Sequence, residues 1–187
     1  MMPSANSPTR ECDQDSLGWL IAPVTREEFE RNFYEQRPYL VTRTDPSCYA
    51  GLLGAEDLDT VLGTHDITHA EVKLVPGETD VPPRSYTHES GRIHPLEVAS
   101  RFDRGATIIF GQLHRRVPAL VRLCVSIGQI FGSRVQTNIY FTPPHAQGFQ
   151  AHWDTHNVFV LQVAGKKDRF TTRRSRSGSK ARASTPT

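Results

Sequence analysis

The sequence predicts a single α+β domain, with helices in its earlier part and strands clustered towards its end. Apolar residues recur at helical spacing up to Phe131, whereas Val135 to Phe141 reads as a strand with two distinct faces. A nearly unbroken apolar run then extends from Val158 to Val163. A length of 187 residues, 37% of them hydrophobic, allows one packed core and excludes wholesale disorder.

Composition also restricts the cellular setting. No stretch approaches the roughly 18 consecutive apolar residues of a membrane helix. The polar residues 1–16 lack the apolar region of a secretory signal and are predicted to form a flexible leader. The three cysteines, Cys12, Cys48 and Cys124, are widely spaced, which argues against a disulfide scaffold and a structural zinc site. A cytoplasmic location is therefore expected.

Start and stop signals predict four helices. Thr25 and Glu28 have the spacing of a capping box, and Pro38 ends the helix that follows. Pro95 opens a later helix at the position where its missing N–H costs nothing. The remaining boundaries are marked by glycines or by the limits of apolar periodicity. The predicted helices cover 25–37, Ala55 to Leu62, Pro95 to Gly105 and Val117 to Phe131.

Five short strands are predicted between and after these helices. In the segment Val135 to Phe141, the residues Gln136, Asn138 and Tyr140 share one face because successive side chains alternate. The apolar run near residue 160 suits a strand buried on both faces. The predicted strands cover Tyr39 to Val41, Ile67 to Val75, Thr107 to Phe110, Val135 to Phe141 and Val158 to Val163.

The net charge of +2 conceals two oppositely charged parts. Residues 166–187 carry eight Lys or Arg and one acid, a net charge of +7, so the rest of the chain carries −5. The Ser- and Arg-rich segment 169–187 has little to bury and is predicted to be a disordered basic tail. Such a tail can make weak contacts with RNA or another polyanion through phosphate charge, and a solvated terminus explains it equally well.

His152-Trp153-Asp154 is the strongest candidate for metal chemistry. On an extended segment the imidazole and the carboxylate point to the same side, as two of the three ligands of a 2-His-1-carboxylate iron site do. A buried His–Asp pair whose members satisfy each other is the alternative. A second triplet, His69-Ala70-Glu71, falls on the polar face of a predicted strand, where solvent exposure explains it without a metal.

Lys166 and Lys167 follow the last predicted strand. A lysine at that position is a suitable partner for the distal carboxylate of 2-oxoglutarate, and a strand end returning to solvent is the alternative. Tyr140 can add a hydroxyl donor to such a carboxylate or serve as a core aromatic residue.

The segment NIYFTPPHAQGFQAHWDTHNVFVLQVAGKK, residues 138–167, resembles the ribosomal-oxygenase group of JmjC-type cupins. The resemblance is carried by Asn-x-Tyr, Thr-Pro-Pro, Gln-Gly-Phe, His-x-Asp, an apolar strand and Gly-Lys-Lys. It is strong over 106–167 and loose over 27–75. It implies a partial double-stranded β-helix (cupin/JmjC) barrel within a domain covering 17–168.

The resemblance also implies Fe(II), the co-substrate 2-oxoglutarate and hydroxylation of a protein side chain, in characterised members a histidine of a ribosomal protein. It implies that His152 and Asp154 are iron ligands, that Lys167 and Tyr140 hold the 2-oxoglutarate carboxylate, and that Asn138 lines the iron pocket. JmjC relatives also demethylate lysine, which is a further alternative.

The sequence departs from the family in two respects. The family's second histidine ligand comes from a later strand, but this sequence has no histidine after His156, which is poorly placed to replace it. The family's dimerisation region also has no counterpart here. The abrupt change after Lys167 therefore predicts a truncated or frame-shifted product, and a catalytically incomplete fragment that binds metal weakly is the alternative function. An interrupted barrel would leave 158–163 exposed.

Overall fold

The computed structural model describes residues 15–45, 47–64, 66–75, 81–147, 154–167, 171–173 and 181–183. Within these ranges the chain combines helices with an antiparallel sheet, which confirms the α+β class. No helix in these ranges is long and apolar enough to cross a membrane. The helices are α1 (Ser16–Ile21), α2 (Arg26–Asn32), α3 (Ala55–Thr64), α4 (Pro95–Asp103) and α5 (Pro118–Phe131); the strands are β1 (Val72–Val75), β2 (Thr107–Phe110), β3 (Ile139–Phe141), β4 (Thr171–Arg173) and β5 (Ala181–Ala183).

Helix α1 was not expected from the sequence. The Asp15 carboxylate accepts a hydrogen bond from the Gly18 N–H at 2.9 Å and so satisfies a donor that the first helical turn leaves unpaired. Leu17 and Ile21 are buried in the core. Because α1 begins at Ser16, the last residue of the predicted leader is buried; residues 1–14 lie outside the described part, and the leader stays a prediction.

Segment 38–43 follows α2 and forms no strand, so the predicted strand Tyr39 to Val41 is wrong. The Tyr39 hydroxyl donates to the Ile21 carbonyl at 2.9 Å, and the Arg43 guanidinium donates to the Trp19 and Leu20 carbonyls at 2.6 and 3.0 Å. These side chains satisfy carbonyls at the end of α1. The segment is therefore attached to α1 by side-chain hydrogen bonds and not by strand pairing.

The helical start signals are confirmed where the structure describes them. The Thr25 hydroxyl accepts from the Glu28 N–H at 3.2 Å, as the capping-box spacing predicts. Pro95 and Pro118 occupy the first positions of α4 and α5. Helix α5 ends at Gly132, whose φ of 59° is readily accessible to a glycine.

Strands β1, β2 and β3 form an antiparallel sheet in that order, with β2 in the centre. Phe110 pairs with Val72 of β1 and with Ile139 of β3. One face of the sheet joins the hydrophobic core that also contains residues of α1 and α5. The predicted strand Thr107 to Phe110 is confirmed, whereas the strands predicted for Ile67 to Val75 and Val135 to Phe141 are present only in their last residues.

The opposite face of this sheet is open along one row, although Thr107 on the same face is buried. Lys73, Ile109 and Tyr140 pair in one row across β1, β2 and β3, so they share a face. Lys73 is exposed, Ile109 is half-buried and Tyr140 retains 43% of its exposure. We call this row the open face.

The apolar segment 158–163 forms no strand, so the prediction of a strand buried on both faces is wrong. Val158 and Val160 keep 54% and 49% of their exposure. Leu161 and Val163 pack partly against the core, and the Phe159 ring lies 6.4 Å from that of Phe29. No described strand pairs with the segment, and without such a neighbour four of its six residues are exposed to solvent. The segment is exposed, as expected, but it is not the sheet edge that the sequence predicted.

Strands β4 and β5 pair antiparallel, with Thr172 opposite Arg182. They lie in the part of the sequence predicted to be a disordered tail. The residues between and after them lie outside the described ranges, so the disordered basic tail stays a prediction, as does the domain division into 1–16, 17–168 and 169–187.

Candidate functional site

Two of the predicted site residues, Asn138 and Tyr140, lie where the connection between β2 and β3 ends. The turn after β2 includes a short 3₁₀ helix, Leu113–Arg115, and it is joined to the residues that precede β3. The Leu113 N–H donates to the Thr137 carbonyl at 3.0 Å, and the His114 N–H donates to the Thr137 hydroxyl at 3.0 Å. The Thr137 N–H in turn donates to His114 Nδ1 at 3.3 Å. Thr137 therefore fixes the start of β3 through both its backbone and its side chain.

Asn138 follows directly and is held by the same turn. Its side-chain oxygen accepts a hydrogen bond from the Gln112 N–H at 3.1 Å. Because the donor is a backbone N–H, the contacting atom of the amide is its oxygen, and the two N–H groups of the amide remain donors for other partners. Gln112 has a φ of 55°, a left-handed conformation that few residues other than glycine and asparagine adopt. This unusual turn directs the N–H towards Asn138.

Tyr140 lies on the open face, two residues after Asn138. The alternation predicted from the sequence is confirmed within β3, because Tyr140 pairs with Ile109 whereas Ile139 and Phe141 lie on the opposite face. The Phe141 ring stacks on that of Phe102 at 4.5 Å between centroids. That stack anchors the strand from the other side and leaves the Tyr140 ring on the open face.

Two titratable groups adjoin Thr137. Burial and the nearby Arg115 cation lower the pKa of His114, which favours the neutral ring. The bond from the Thr137 N–H to Nδ1 also requires a neutral ring, with its proton on Nε2. Burial raises the pKa of the Cys124 thiol of α5, while a hydrogen bond with Thr137 acts in the opposite direction. Cys124 is therefore a protonated, inert thiol at neutral pH.

The other predicted site residues lie on the segment that begins at residue 154. Asp154 and Lys167 are both exposed and belong to neither helix nor strand. His152 lies outside the described residues, so its convergence with Asp154 stays a prediction. Among the residues that the structure describes, no group of three or more His, Cys, Asp or Glu side chains could hold a metal ion. The structure thus places Asn138 directly before β3 and Tyr140 within it, and it leaves the proposed ligand pair untested.

The second triplet, His69-Ala70-Glu71, has a structural role. One oxygen of Glu71 accepts from the Arg116 Nε at 2.9 Å and from its Nη2 at 2.7 Å. The His69 Nδ1–H donates to the Gly91 carbonyl at 3.3 Å. Hydrogen bonding and ion pairing within the fold therefore engage both side chains, whereas the sequence had predicted simple solvent exposure.

Comparison with known proteins identifies the family. A family model described as JmjC domain matches residues 112–185, a range that starts at Gln112 and contains all five predicted site residues. A protein of Aedes aegypti named bifunctional lysine-specific demethylase and histidyl-hydroxylase NO66 is 31% identical over 172 residues. Ribosomal oxygenase 1 of Gallus gallus is 34% identical over 152 residues. Residues 112–185 belong to the JmjC domain family.

These JmjC alignments cover most of this chain and a small part of each relative. They include 88% of this chain for the Aedes aegypti protein and 80% for the Gallus gallus protein, but only 27% and 25% of those proteins. An NO66 protein of Branchiostoma floridae is 35% identical, with 79% of this chain and 24% of the relative covered. The chain thus spans about a quarter of the length of these relatives.

Sequence reasoning missed two residues of this JmjC site, Gln112 and Thr137. Neither forms part of a chemical motif, and Gln112 is a residue type that rarely adopts positive φ. Thr137 directly precedes Asn138, but nothing in its type predicts a bond to His114, which is 23 residues distant along the chain. Their importance depends on tertiary contacts that the local pattern does not encode.

Proposed function

We propose that this chain is an Fe(II)- and 2-oxoglutarate-dependent dioxygenase unit that hydroxylates a protein side chain. The observation that carries the proposal is the JmjC match over residues 112–185, which includes every residue assigned to the site from sequence. The names of two relatives, which include histidyl-hydroxylase and ribosomal oxygenase, also support the proposal. By this likeness, the substrate is a histidine of a ribosomal protein.

His152 and Asp154 would hold the iron. An imidazole and a carboxylate two residues apart suit Fe(II), and Asp154 is exposed and accessible to a metal ion. When bound, the iron would supply the oxygen chemistry that couples oxidation of 2-oxoglutarate to hydroxylation of the substrate. In this proposal the protein contributes the ligands and the surface that orients both substrates.

Lys167, Tyr140 and Asn138 would bind and orient 2-oxoglutarate. The Lys167 ammonium would pair with the distal carboxylate, and the Tyr140 hydroxyl would donate a hydrogen bond to it. Asn138 has its side-chain oxygen engaged by the Gln112 N–H, so it presents N–H donors to a ligand. The open face supports this assignment, because Tyr140 is accessible there while its strand is anchored by the Phe102–Phe141 stack.

Lysine demethylation is a related reaction of the same site. The names of the NO66 relatives include both activities, and hydroxylation of an N-methyl group is the oxidative step that demethylation would share. The closer likeness of residues 138–167 to the hydroxylase pattern favours histidine hydroxylation. Parallel assays on a histidine-containing and a methyl-lysine peptide distinguish the two substrates.

Turnover of 2-oxoglutarate tests the proposal directly. With added Fe(II), the 187-residue chain is expected to release succinate, and His152→Ala is expected to abolish that release because it removes a ligand. His156→Ala is the matched control, since it removes a nearby histidine with no assigned role, and its activity should equal that of the wild type. Equal succinate release by the wild type and His152→Ala would contradict the proposal.

A catalytically incomplete metal binder is the second candidate. Its specific support is the donor count, because the sequence contains no histidine after His156 to supply a third ligand. In this case Fe(II) binds weakly, the binding depends on His152 and Asp154, and no succinate forms. The basic residues of 166–187 would then provide contacts with RNA, measured as salt-dependent binding of an oligonucleotide.

A further inference from the structure

Two histidines outside the JmjC match adjoin one another on a small antiparallel ribbon. Residues 86–88 and 92–94 face each other, with Thr87 paired to Ile93. The His88 N–H donates to the Arg92 carbonyl at 2.8 Å, and the His94 N–H donates to the Tyr86 carbonyl at 2.7 Å. The imidazole centroids of His88 and His94 lie 3.4 Å apart, with 39° between the ring planes.

The backbone fixes this proximity. His88 is opposite Arg92, and His94 lies two residues beyond Arg92, so both histidines are on the same face of the ribbon and are diagonal neighbours. His94 also directly precedes Pro95, the first residue of α4, and the start of that helix restrains its backbone. The two rings are therefore held together by pairing of the main chain.

Neither imidazole is committed to another hydrogen bond within the described residues. His88 is exposed and His94 is half-buried, and His94 does not cap α4 with its side chain. By contrast, the third histidine of this region, His69, is engaged by the Gly91 carbonyl. The nitrogen lone pairs of His88 and His94 are thus accessible to a ligand from solvent.

The charges around the pair are balanced. Arg92, which lies between the two histidines in sequence and on their face, is ion-paired with Asp66. Asp66 is paired with that guanidinium, so it neutralises a cation on the same face of the ribbon and is not itself assigned as a ligand. Because the charge of Arg92 is compensated, it repels a metal cation approaching the imidazoles less than an unpaired arginine would.

We propose that His88 and His94 form a two-imidazole chelate for a divalent transition-metal ion, with water completing the coordination. Neutral imidazole is a preferred ligand of Cu²⁺, Ni²⁺ and Zn²⁺, and Cu²⁺ binds most tightly of the three. Two ligands from different strands of the ribbon also mean that the bound ion cross-links residues 86–94. Metal binding therefore stabilises the ribbon and the start of α4.

Copper titration tests the site in a chain that lacks the proposed iron ligands. The parent variant carries His152→Ala and Asp154→Ala, so that any Cu²⁺ binding is independent of the proposed function. One Cu²⁺ is expected to bind per chain, with an electron paramagnetic resonance spectrum showing two coordinated nitrogens. His88→Gln or His94→Gln is expected to weaken binding at least tenfold and to remove one nitrogen from the spectrum.

His69→Gln is the matched control, because His69 lies on the adjacent backbone but is already hydrogen-bonded. Its Cu²⁺ affinity should equal that of the parent variant. Because His88 is exposed, His88→Gln is expected to keep the metal-free melting temperature, which checks that the fold is intact. Unchanged affinity in the His88→Gln, His94→Gln double variant, or an equal loss in His69→Gln, would overturn the proposal.

Discussion

His114 shows how one side chain couples the site to pH. Its neutral ring accepts the Thr137 N–H, and partial burial lowers its pKa from the ordinary 6.5. The unfolded chain therefore binds the proton more readily than the folded chain does. The contribution of this group to the free energy of unfolding is therefore complete above pH 6.5. It decreases as the pH falls below that value towards the lowered pKa of the folded state.

Urea denaturation between pH 7.5 and pH 5 measures this effect. His114→Asn is the comparison, because an asparagine oxygen can still accept the Thr137 N–H but does not titrate. The variant is expected to lose less stability than the wild type over the same interval. Identical pH slopes for the two proteins would exclude His114 as the responsible group.

Asn138 and Gln112 illustrate which details of the site a sequence carries. Alternation was predicted correctly within β3, where Tyr140 lies opposite to Ile139 and Phe141, because it is a property of any strand; Asn138 precedes the strand, so its shared face with Tyr140 stays a prediction. The contact that orients Asn138 depends on a left-handed residue 26 positions earlier in the chain. No local pattern predicts such a contact.

At the scale of elements, the ion pair between Glu71 and Arg116 joins the residue before β1 to the end of the 3₁₀ turn after β2. The side chains keep only 31% and 21% of their exposure, so solvent screens the pair incompletely. The Arg26–Glu30 pair on α2 is a matched control, since its side chains keep 51% and 48%. Burial should make the first pair the stronger one.

Double-mutant cycles quantify that difference. With Glu71→Gln and Arg116→Gln, the coupling free energy is expected to be about 1 kcal/mol, whereas the α2 pair should give about 0.3 kcal/mol. Chemical denaturation of each single and double variant supplies the values. Coupling at Glu71–Arg116 no larger than that at Arg26–Glu30 would show that the pair contributes only surface electrostatics.

Element boundaries were predictable where local signals were strong. Strand β2 was predicted correctly because a short apolar run lies between Gly105 and Gly111, and α5 because an apolar surface extends from Pro118 to Gly132. Helix α1 was missed because six residues are too short for periodicity to be recognised. The 158–163 strand was wrong because burial on both faces requires neighbours that its own sequence does not reveal.

At the scale of the whole molecule, the segment 158–163 presents apolar side chains to solvent. Val160→Lys is expected to reduce aggregation at unchanged melting temperature, because Val160 keeps 49% of its exposure. Leu161→Lys is the contrasting variant, since Leu161 packs against the core and a charge there should lower stability by about 1–3 kcal/mol. Light scattering and thermal melts measure the two effects, and equal destabilisation by both substitutions would contradict this division of the segment.

The bonds from the turn at residues 112–114 to Thr137 and Asn138 also bear on the order of assembly. They close a loop of about two dozen residues that consists mainly of α5, so the chain entropy lost on closure is modest. Pairing of β1 with β2 joins positions farther apart, as between Val72 and Phe110. Because nearby contacts form with less entropic opposition, β2, α5 and β3 make a local folding unit onto which β1 can dock afterwards.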